Sequence, residues 1–207
     1  MPETFDRDFW EKRWSRALRE NPDAVARRPP SAHLLAEAAN LCAGRALDAG
    51  SGHGAESLWL AARGWRVTAV DFSAIALEHA RSRAASLGAD IAERIEWIEG
   101  DLACWTPPPD HYDLVTCLYV HVSGSVPEMV QRLATGVAIG GTLLLVGHQP
   151  VDPATGAPTP AAGQEQISVA TALAALDPHR WKIVVAEDRP REALGTGVDA
   201  VVRARRL

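Results

Sequence analysis

Arg45-Ala-Leu-Asp-Ala-Gly-Ser-Gly-His-Gly54 joins a short apolar run to a turn with glycine at positions 50, 52 and 54. A helical pattern, Ala55 to Arg63, follows at once. A strand feeding a glycine turn and then a helix brings bare backbone close to a ligand, because glycine has no side chain in the way and tolerates positive φ. The turn alone indicates a nucleotide-like cofactor. Asp71 sharpens this: it ends the next apolar run, Arg66-Val-Thr-Ala-Val-Asp71, 21 residues beyond Gly50. An acid at that place accepts both hydroxyls of a ribose.

On either side of this stretch, strands and helices alternate. The pattern predicts strands at Arg45 to Asp48, Arg66 to Val70, Arg94 to Ile98, Tyr112 to Leu118 and Thr142 to Val146. Helices are expected at Ala55 to Arg63, Ala74 to Leu87 (closed by Gly88) and Val126 to Thr135. This rhythm gives a parallel sheet covered on both faces. Two more strands, Trp181 to Glu187 and Val198 to Arg205, are joined through Gly195-Thr196-Gly197 and should pair antiparallel. The expected fold is α/β, a Rossmann-like, doubly wound, mostly parallel seven-stranded sheet with an antiparallel C-terminal strand. Before it, Phe9-Trp-Glu-Lys-Arg-Trp14 opens a helix that ends ahead of Asn21-Pro22, and Ser31 is a candidate N-cap for a helix from Ala32 to about Leu41.

At 207 residues the chain fits one domain, since single cores grow to ~250 residues before chains divide. Residues 1–41 read as a helical cap, 45–148 as the cofactor core, 149–163 as a Pro-, Gly- and Thr-rich loop or lid, and 164–207 as a helix with a hairpin. A net charge of −5 argues against a nucleic-acid partner. The basic run Arg203 to Arg206 reads as a solvated strand end. Cys42, Cys104 and Cys117 lack metal-type spacing, and their odd number fits reduced thiols in a cytoplasmic protein. No secretory segment opens the sequence and no stretch approaches 18 apolar residues, so no membrane partner is expected.

The glycine turn resembles the first motif of the class I S-adenosylmethionine-dependent methyltransferases, and three further segments resemble theirs in the same order. Val70-Asp-Phe-Ser73 is similar to the second motif, and Glu99-Gly-Asp-Leu102 to the segment that meets adenine. Asp113-Leu-Val-Thr-Cys-Leu-Tyr119 and Gly140-Gly-Thr-Leu-Leu-Leu-Val146 resemble the fourth and fifth strands. The resemblance runs from about Arg45 to Val146. It implies S-adenosylmethionine as cofactor, with S-adenosylhomocysteine as product. Gly50, Ser51, Gly52 and Gly54 would lie against its methionyl and ribose part, Asp71 would hold the ribose, and Asp101 would accept from the adenine amino group. Phe72 and Leu102 would sandwich the ring, with Asp48 and Cys117 completing the set. Asp101 also fits a plain turn-capping role.

A nicotinamide- or flavin-dependent Rossmann oxidoreductase is the competing reading, because Gly50-x-Gly52-x-x-Ala55 satisfies the looser dinucleotide pattern. Asp48 argues against it: a pyrophosphate would meet a negative charge there, whereas a methionyl ammonium is suited by one. The chain also lacks a Tyr-x-x-x-Lys pair, its only lysines being Lys12 and Lys182. A non-catalytic adenosyl-binding protein is a third reading, disfavoured by the intact motif.

Methyl transfer from a sulfonium needs a nucleophile held in line, where positioning alone is worth effective molarities of ~10⁵ M or more. A base is optional. If the strand ending at Leu118 stays extended, Cys117, Tyr119 and His121 share one face. His121 and His148 are the candidate bases, with Tyr119 beside them. Trp10 and Trp14, an i, i+4 pair, either pack a helix on the sheet or form a lid over the substrate. No Asn/Asp-Pro-Pro-Tyr, no acidic metal set and no paired glutamates follow the fourth strand, so the expected enzyme is metal-independent and acts on a small molecule. The short Phe-Trp…Trp helix and Gly140 to His148 resemble the thiopurine and tellurite-resistance group, which makes a thiol or chalcogen the expected acceptor. An O- or N-methyltransferase of secondary metabolism using a histidine base is the rival. A monomer or homodimer is expected.

Overall fold

The computed structural model describes residues 6–151, 156–158, 165–190 and 197–207. Seven strands form one sheet: β1 (Arg45–Ala49), β2 (Arg66–Asp71), β3 (Ile95–Glu99), β4 (Tyr112–Leu118), β5 (Val137–His148), β6 (Trp181–Pro190) and β7 (Val198–Arg206). Their order is β3-β2-β1-β4-β5-β7-β6. The pairs from β3 through β5 are parallel, and β7 runs antiparallel between β5 and β6. The strand order reverses between β1 and β4, so the crevice at their carboxyl ends is where an open sheet of this kind takes a ligand.

Eight helices are assigned among the described residues: α1 (Arg7–Glu20), α2 (Pro22–Ala26), α3 (Ala32–Ala38), α4 (Ala55–Ala62), α5 (Ala74–Leu87), α6 (Ala89–Ala92), α7 (Val126–Thr135) and α8 (Val169–Ala175). The central strands are buried on both faces, as the apolar runs require. Leu47, Val115, Cys117, Leu143 and Leu145 point to one side, against Met129, Val130 and Leu133 of α7. Ala46, Leu114, Leu144 and Val146 point to the other, against Leu34 of α3 and Leu58 and Leu60 of α4. The two apolar layers hold the glycine turn between them.

Several expectations are corrected by the fold. β5 begins at Val137, five residues before the predicted start: Gly140-Gly141 does not end the strand but lies in an irregularity where the pairing with β4 shifts between Tyr112 and Leu114. Ser31 does not cap α3 with its side chain. Its backbone N–H instead donates to Glu56 Oε1 at 2.9 Å. The basic run at the end of β7 is not simply solvated: Arg206 is buried and bonds Asp110 and the Val137 carbonyl, and Arg203 pairs with Glu37 at 3.1 Å. The expected lid 149–163 and the Gly195-Thr196 link lie mostly outside the described residues.

Candidate active site

The glycine turn is shaped by backbone bonds to β2. Gly50 and Ser51 N–H both donate to the Val70 carbonyl, at 2.8 and 3.0 Å. Gly50, Gly52 and Gly54 all take positive φ, +82°, +50° and +79°. Asp71 ties the turn down from the end of β2: Oδ2 accepts from Gly52 N–H at 2.8 Å and Oδ1 from Ser73 N–H at 2.9 Å. Burial raises the carboxyl's pKa against the pull of these donors. A Cβ on Gly50 would come within 2.2 Å of the Val120 side chain, and one on Gly52 within 3.0 Å of Trp14. Only bare backbone fits beneath these two residues.

Asp48 lies deeper than the sequence suggests. It accepts from Ser57 Oγ at 2.5 Å and from Thr116 Oγ1 at 3.2 Å, and it is almost fully buried. Burial, followed by the neighbouring Glu56 charge, pushes its pKa well above the carboxylate range. Ser51 Oγ is buried with no hydrogen-bond partner. An unpaired hydroxyl and a charge-starved carboxyl beside a bare turn fit a ligand that brings its own polar, cationic end.

The cofactor's other expected neighbours line up along the same edge. Phe72 is half-buried just beyond Asp71, and Leu102 is buried. Asp101 is exposed, and its Oδ1 accepts from Ala103 N–H at 2.8 Å, the turn-capping role. Cys117 is sealed in the apolar layer, where burial pushes its thiol pKa up further.

α1 lies across this edge. Asp6 caps it, accepting from Phe9 N–H, and none of its residues is buried. Glu11 holds it down: Oε1 accepts from Ala74 N–H at 2.8 Å and Oε2 from Ser73 Oγ at 3.2 Å, at the start of α5. Arg7 pairs with Glu99 at the end of β3. Trp14 faces His53 of the turn at 5.4 Å between ring centroids, and Trp10 faces His121 at 5.6 Å. The two tryptophans therefore sit over the rim and not against the apolar layers of the sheet.

The expected shared face of Cys117, Tyr119 and His121 is not formed. β4 stops at Leu118, and Tyr119 takes a left-handed φ of +59°, which breaks the alternation of an extended strand. Cys117 faces one apolar layer and Tyr119 packs against the other. The turn carries Tyr119 across to β5, where its ring stacks on His148 at 4.4 Å. His121 lies 6.3 Å from His148. Burial, and then the His148 charge, lower the His121 pKa to about 4.

At the centre of this group stands a residue that sequence reading missed. Asp199, near the start of β7, is fully buried. Its Oδ2 accepts from Tyr119 Oη at 2.9 Å and lies 3.2 Å from His33 Nε2, and its Oδ1 lies 3.1 Å from His148 Nδ1. Asp199 and His148 are register partners across β5 and β7. His33, on α3, carried no expectation either. The signal was present in Val198-Asp-Ala-Val-Val202, where one acid interrupts an apolar strand. Gln166 was also missed: it is buried with neither end of its amide bonded, next to Ile167, which lies against Gly147.

Among the described residues no group of three or more His, Cys, Asp and Glu side chains is arranged to hold a metal ion, the Asp199 group included. No described helix is long and apolar enough to cross a membrane. A recess at the opposite end of the sheet, lined by Arg45, Arg66, Glu93, Arg94, Glu96 and His111, is mixed in charge and lies away from the carboxyl ends of the strands.

This strand order, the antiparallel β7, a glycine turn at the switch point and an acid ending β2 together define a class I methyltransferase fold. Known proteins place the chain in the same company. The sequence profile of a methyltransferase domain matches residues 46–141. Trans-aconitate 2-methyltransferase of Paracidovorax citrulli (strain AAC00-1) is 32% identical over 125 residues, 58% of this chain and 44% of that protein. The match thus spans less than half of the relative's length. Geranyl diphosphate C-methyltransferase from Streptomyces coelicolor A3(2), solved with Mg2+, geranyl diphosphate and S-adenosyl-L-homocysteine, superposes with a TM-score of 0.70 at 14% identity, covering 100% of both chains. TehB from Haemophilus influenzae superposes at 0.63 and 19% identity, over 79% of this chain and 57% of its own. The chain thus has the fold of the class I methyltransferases, and residues 46–141 match the profile of a methyltransferase domain.

Proposed function

We propose that the protein transfers a methyl group from S-adenosylmethionine to a small organic molecule held at the rim between the glycine turn, Tyr119 to His121, His148 and α1. The observation that carries this reading is the bare turn tied to Asp71 through Gly52 N–H, with an aromatic cover and a histidine group on either side of it. When bound, the sulfonium supplies an electrophilic methyl, and the chain's part is to hold the acceptor in line and keep water out.

Gly50, Ser51, Gly52 and Gly54 would receive the methionyl and ribose part, with Asp48 beneath its ammonium. Asp71 would turn a carboxylate oxygen to the ribose hydroxyls. Asp101 would meet the adenine amino group, and Phe72 and Leu102 its faces. Trp10 and Trp14 would close over the bound pair as part of the 1–41 cap. Cys117 supports this set from the core, its thiol being turned into the apolar layer.

Named relatives point to small carbon compounds: one is a methyltransferase of trans-aconitate, another of geranyl diphosphate. An acceptor that is already anionic, as a thiolate or chalcogen anion is, needs positioning alone. One that keeps its proton needs a base as well.

Isothermal titration with S-adenosylhomocysteine, with NAD as comparison ligand, tests the reading. We expect saturable one-site binding, weakened at least tenfold in Asp71→Ala. Preference for NAD, or no binding of S-adenosylhomocysteine, overturns it in favour of an ordinary Rossmann site.

A further inference from the structure

We propose that His148, held by Asp199, is the general base of the reaction, and that the acceptor is an aromatic compound losing a proton from O–H or N–H as it is methylated. This rests on the methyltransferase reading above.

The geometry is that of an oriented base. His148 Nδ1 lies 3.1 Å from Asp199 Oδ1; a carboxylate accepts hydrogen bonds and donates none, so in the proposed pair Nδ1 carries the proton. That makes Nε2 the basic nitrogen of the ring. The arrangement repeats the logic of an acid fixing a histidine's tautomer and stabilising the imidazolium that forms. Asp199 is a positioning residue: it is fully buried and acts on the reaction through His148. Tyr119 donates to its other oxygen, which His33 Nε2 also approaches, and these contacts fix the carboxylate's plane. A buried acid with this many donors costs too much to be incidental filling.

His148 is the member of the group suited to the task. Its side chain is 27% exposed, against 9% for His33. His121 is too weak a base at about 4, lowered by burial and by His148 beside it. The groups that face His148 come from several elements. Asp199 lies on β7, His33 on α3, and Tyr119 and His121 follow β4. Asp188 of β6 holds the neighbouring Gln149, and Arg13 of α1 acts on His121.

The rings point to the acceptor's class. Trp10, His121, His148 and Tyr119 form a continuous run, with centroid separations of 5.6, 6.3 and 4.4 Å. Such a surface suits a flat aromatic acceptor laid edge or face against it. In the step, the acceptor's lone pair forms the bond to the methyl carbon, the carbon–sulfur pair stays on sulfur, and the acceptor's proton passes to Nε2. The imidazolium so formed is paired with Asp199 until it yields the proton to water. A thiolate would leave this apparatus with nothing to do.

The first test reads the ring and needs no turnover. Long-range 1H–15N correlation spectra of the full chain, labelled at histidine, are recorded with and without S-adenosylhomocysteine, with His148→Gln assigning the signal. We expect His148 in the Nδ1–H tautomer, shifting towards Nε2–H in Asp199→Asn. An Nε2–H ring in the native protein, or no response to Asp199→Asn, overturns the proposal.

The second test offers 4-nitrophenol, catechol and 3-hydroxypyridine beside thiophenol, following the S-adenosylhomocysteine product. Hydroxyl turnover that falls about 10²–10⁴-fold in His148→Gln, and loses its acid limb in the pH profile, supports it. Turnover of thiophenol alone, unchanged in His148→Gln, overturns it, as does absence of any hydroxyl turnover while S-adenosylhomocysteine still binds. Failure of that binding in the native protein defeats the methyltransferase reading instead, and the tautomer spectra still report on the pair. Thermal melts of both variants show whether they fold.

Discussion

Asp48 is a carboxyl whose charge has no cation beside it, so the folded chain holds its proton more tightly than the unfolded chain does. Its folded pKa lies above its ordinary 3.8, through burial and then Glu56. The stabilisation from this group is therefore full at low pH and fades as pH rises through that raised value. Glu56 and Asp71 shift in the same direction. Melting curves from about pH 5 to about pH 8 should show a falling Tm, with a shallower fall in Asp48→Asn. Parallel slopes would count against it. Gly50→Ala strains a φ of +82° and drives a methyl into Val120. It should cost about 1–2 kcal/mol in urea unfolding, part of which Val120→Ala restores while the backbone strain remains. Gln166→Leu removes a buried amide with no partner and should raise stability by about 1 kcal/mol. Residues of the turn were legible because glycine and acid spacing is a backbone signature. Asp199 was not, because its meaning depends on which strand it pairs with.

Among the elements, α1 is the one held by its polar contacts. It buries no residue, and its grip is Glu11 on the start of α5, Arg7 on Glu99 and two tryptophans on the rim. The exposed Arg7–Glu99 pair is worth about 0–1 kcal/mol, and the Glu11 hydrogen bonds hold α1 without holding the core. Glu11→Ala should therefore leave the melting curve of the core nearly unchanged. Trypsin should cut at Arg13 and Arg16 several-fold faster, and bound S-adenosylhomocysteine should slow the cutting if α1 closes over it. Equal cutting rates in native and variant chains would refute this. Punctuation decided which elements the sequence disclosed. α5 runs Ala74–Leu87 as read, with Ser73 accepting from Ala76 N–H at its start and Gly88 at its end. α2 and α6 are too short to show a period. Tyr119 misled for a physical reason: a non-glycine residue in the left-handed region leaves no trace in composition, yet it redirects everything after β4.

At the scale of the molecule, the alternating pattern foretold the parallel half of the sheet and its switch point, since each crossover is a local unit. The order β5-β7-β6 rests on contacts far apart in sequence. β6 meets the sheet only through β7, so the two dock together as a hairpin upon β5. Asp199 is separated from His33 by 166 residues, from Tyr119 by 80 and from His148 by 51. Closing such loops is slow compared with forming neighbouring β–α–β units. In refolding from urea, single-tryptophan variants should report Trp97 of β3 protected before Trp181 of β6; simultaneous protection would contradict this order. The consequence is a matter of timing. The turn proposed to receive the cofactor is assembled from the chain's first strands, whereas the carboxylate proposed to orient the proton acceptor arrives with the closing hairpin. A nascent or partly refolded molecule would then capture its cofactor before it is competent to use it, and a one-residue slip of β7 would leave it in that state.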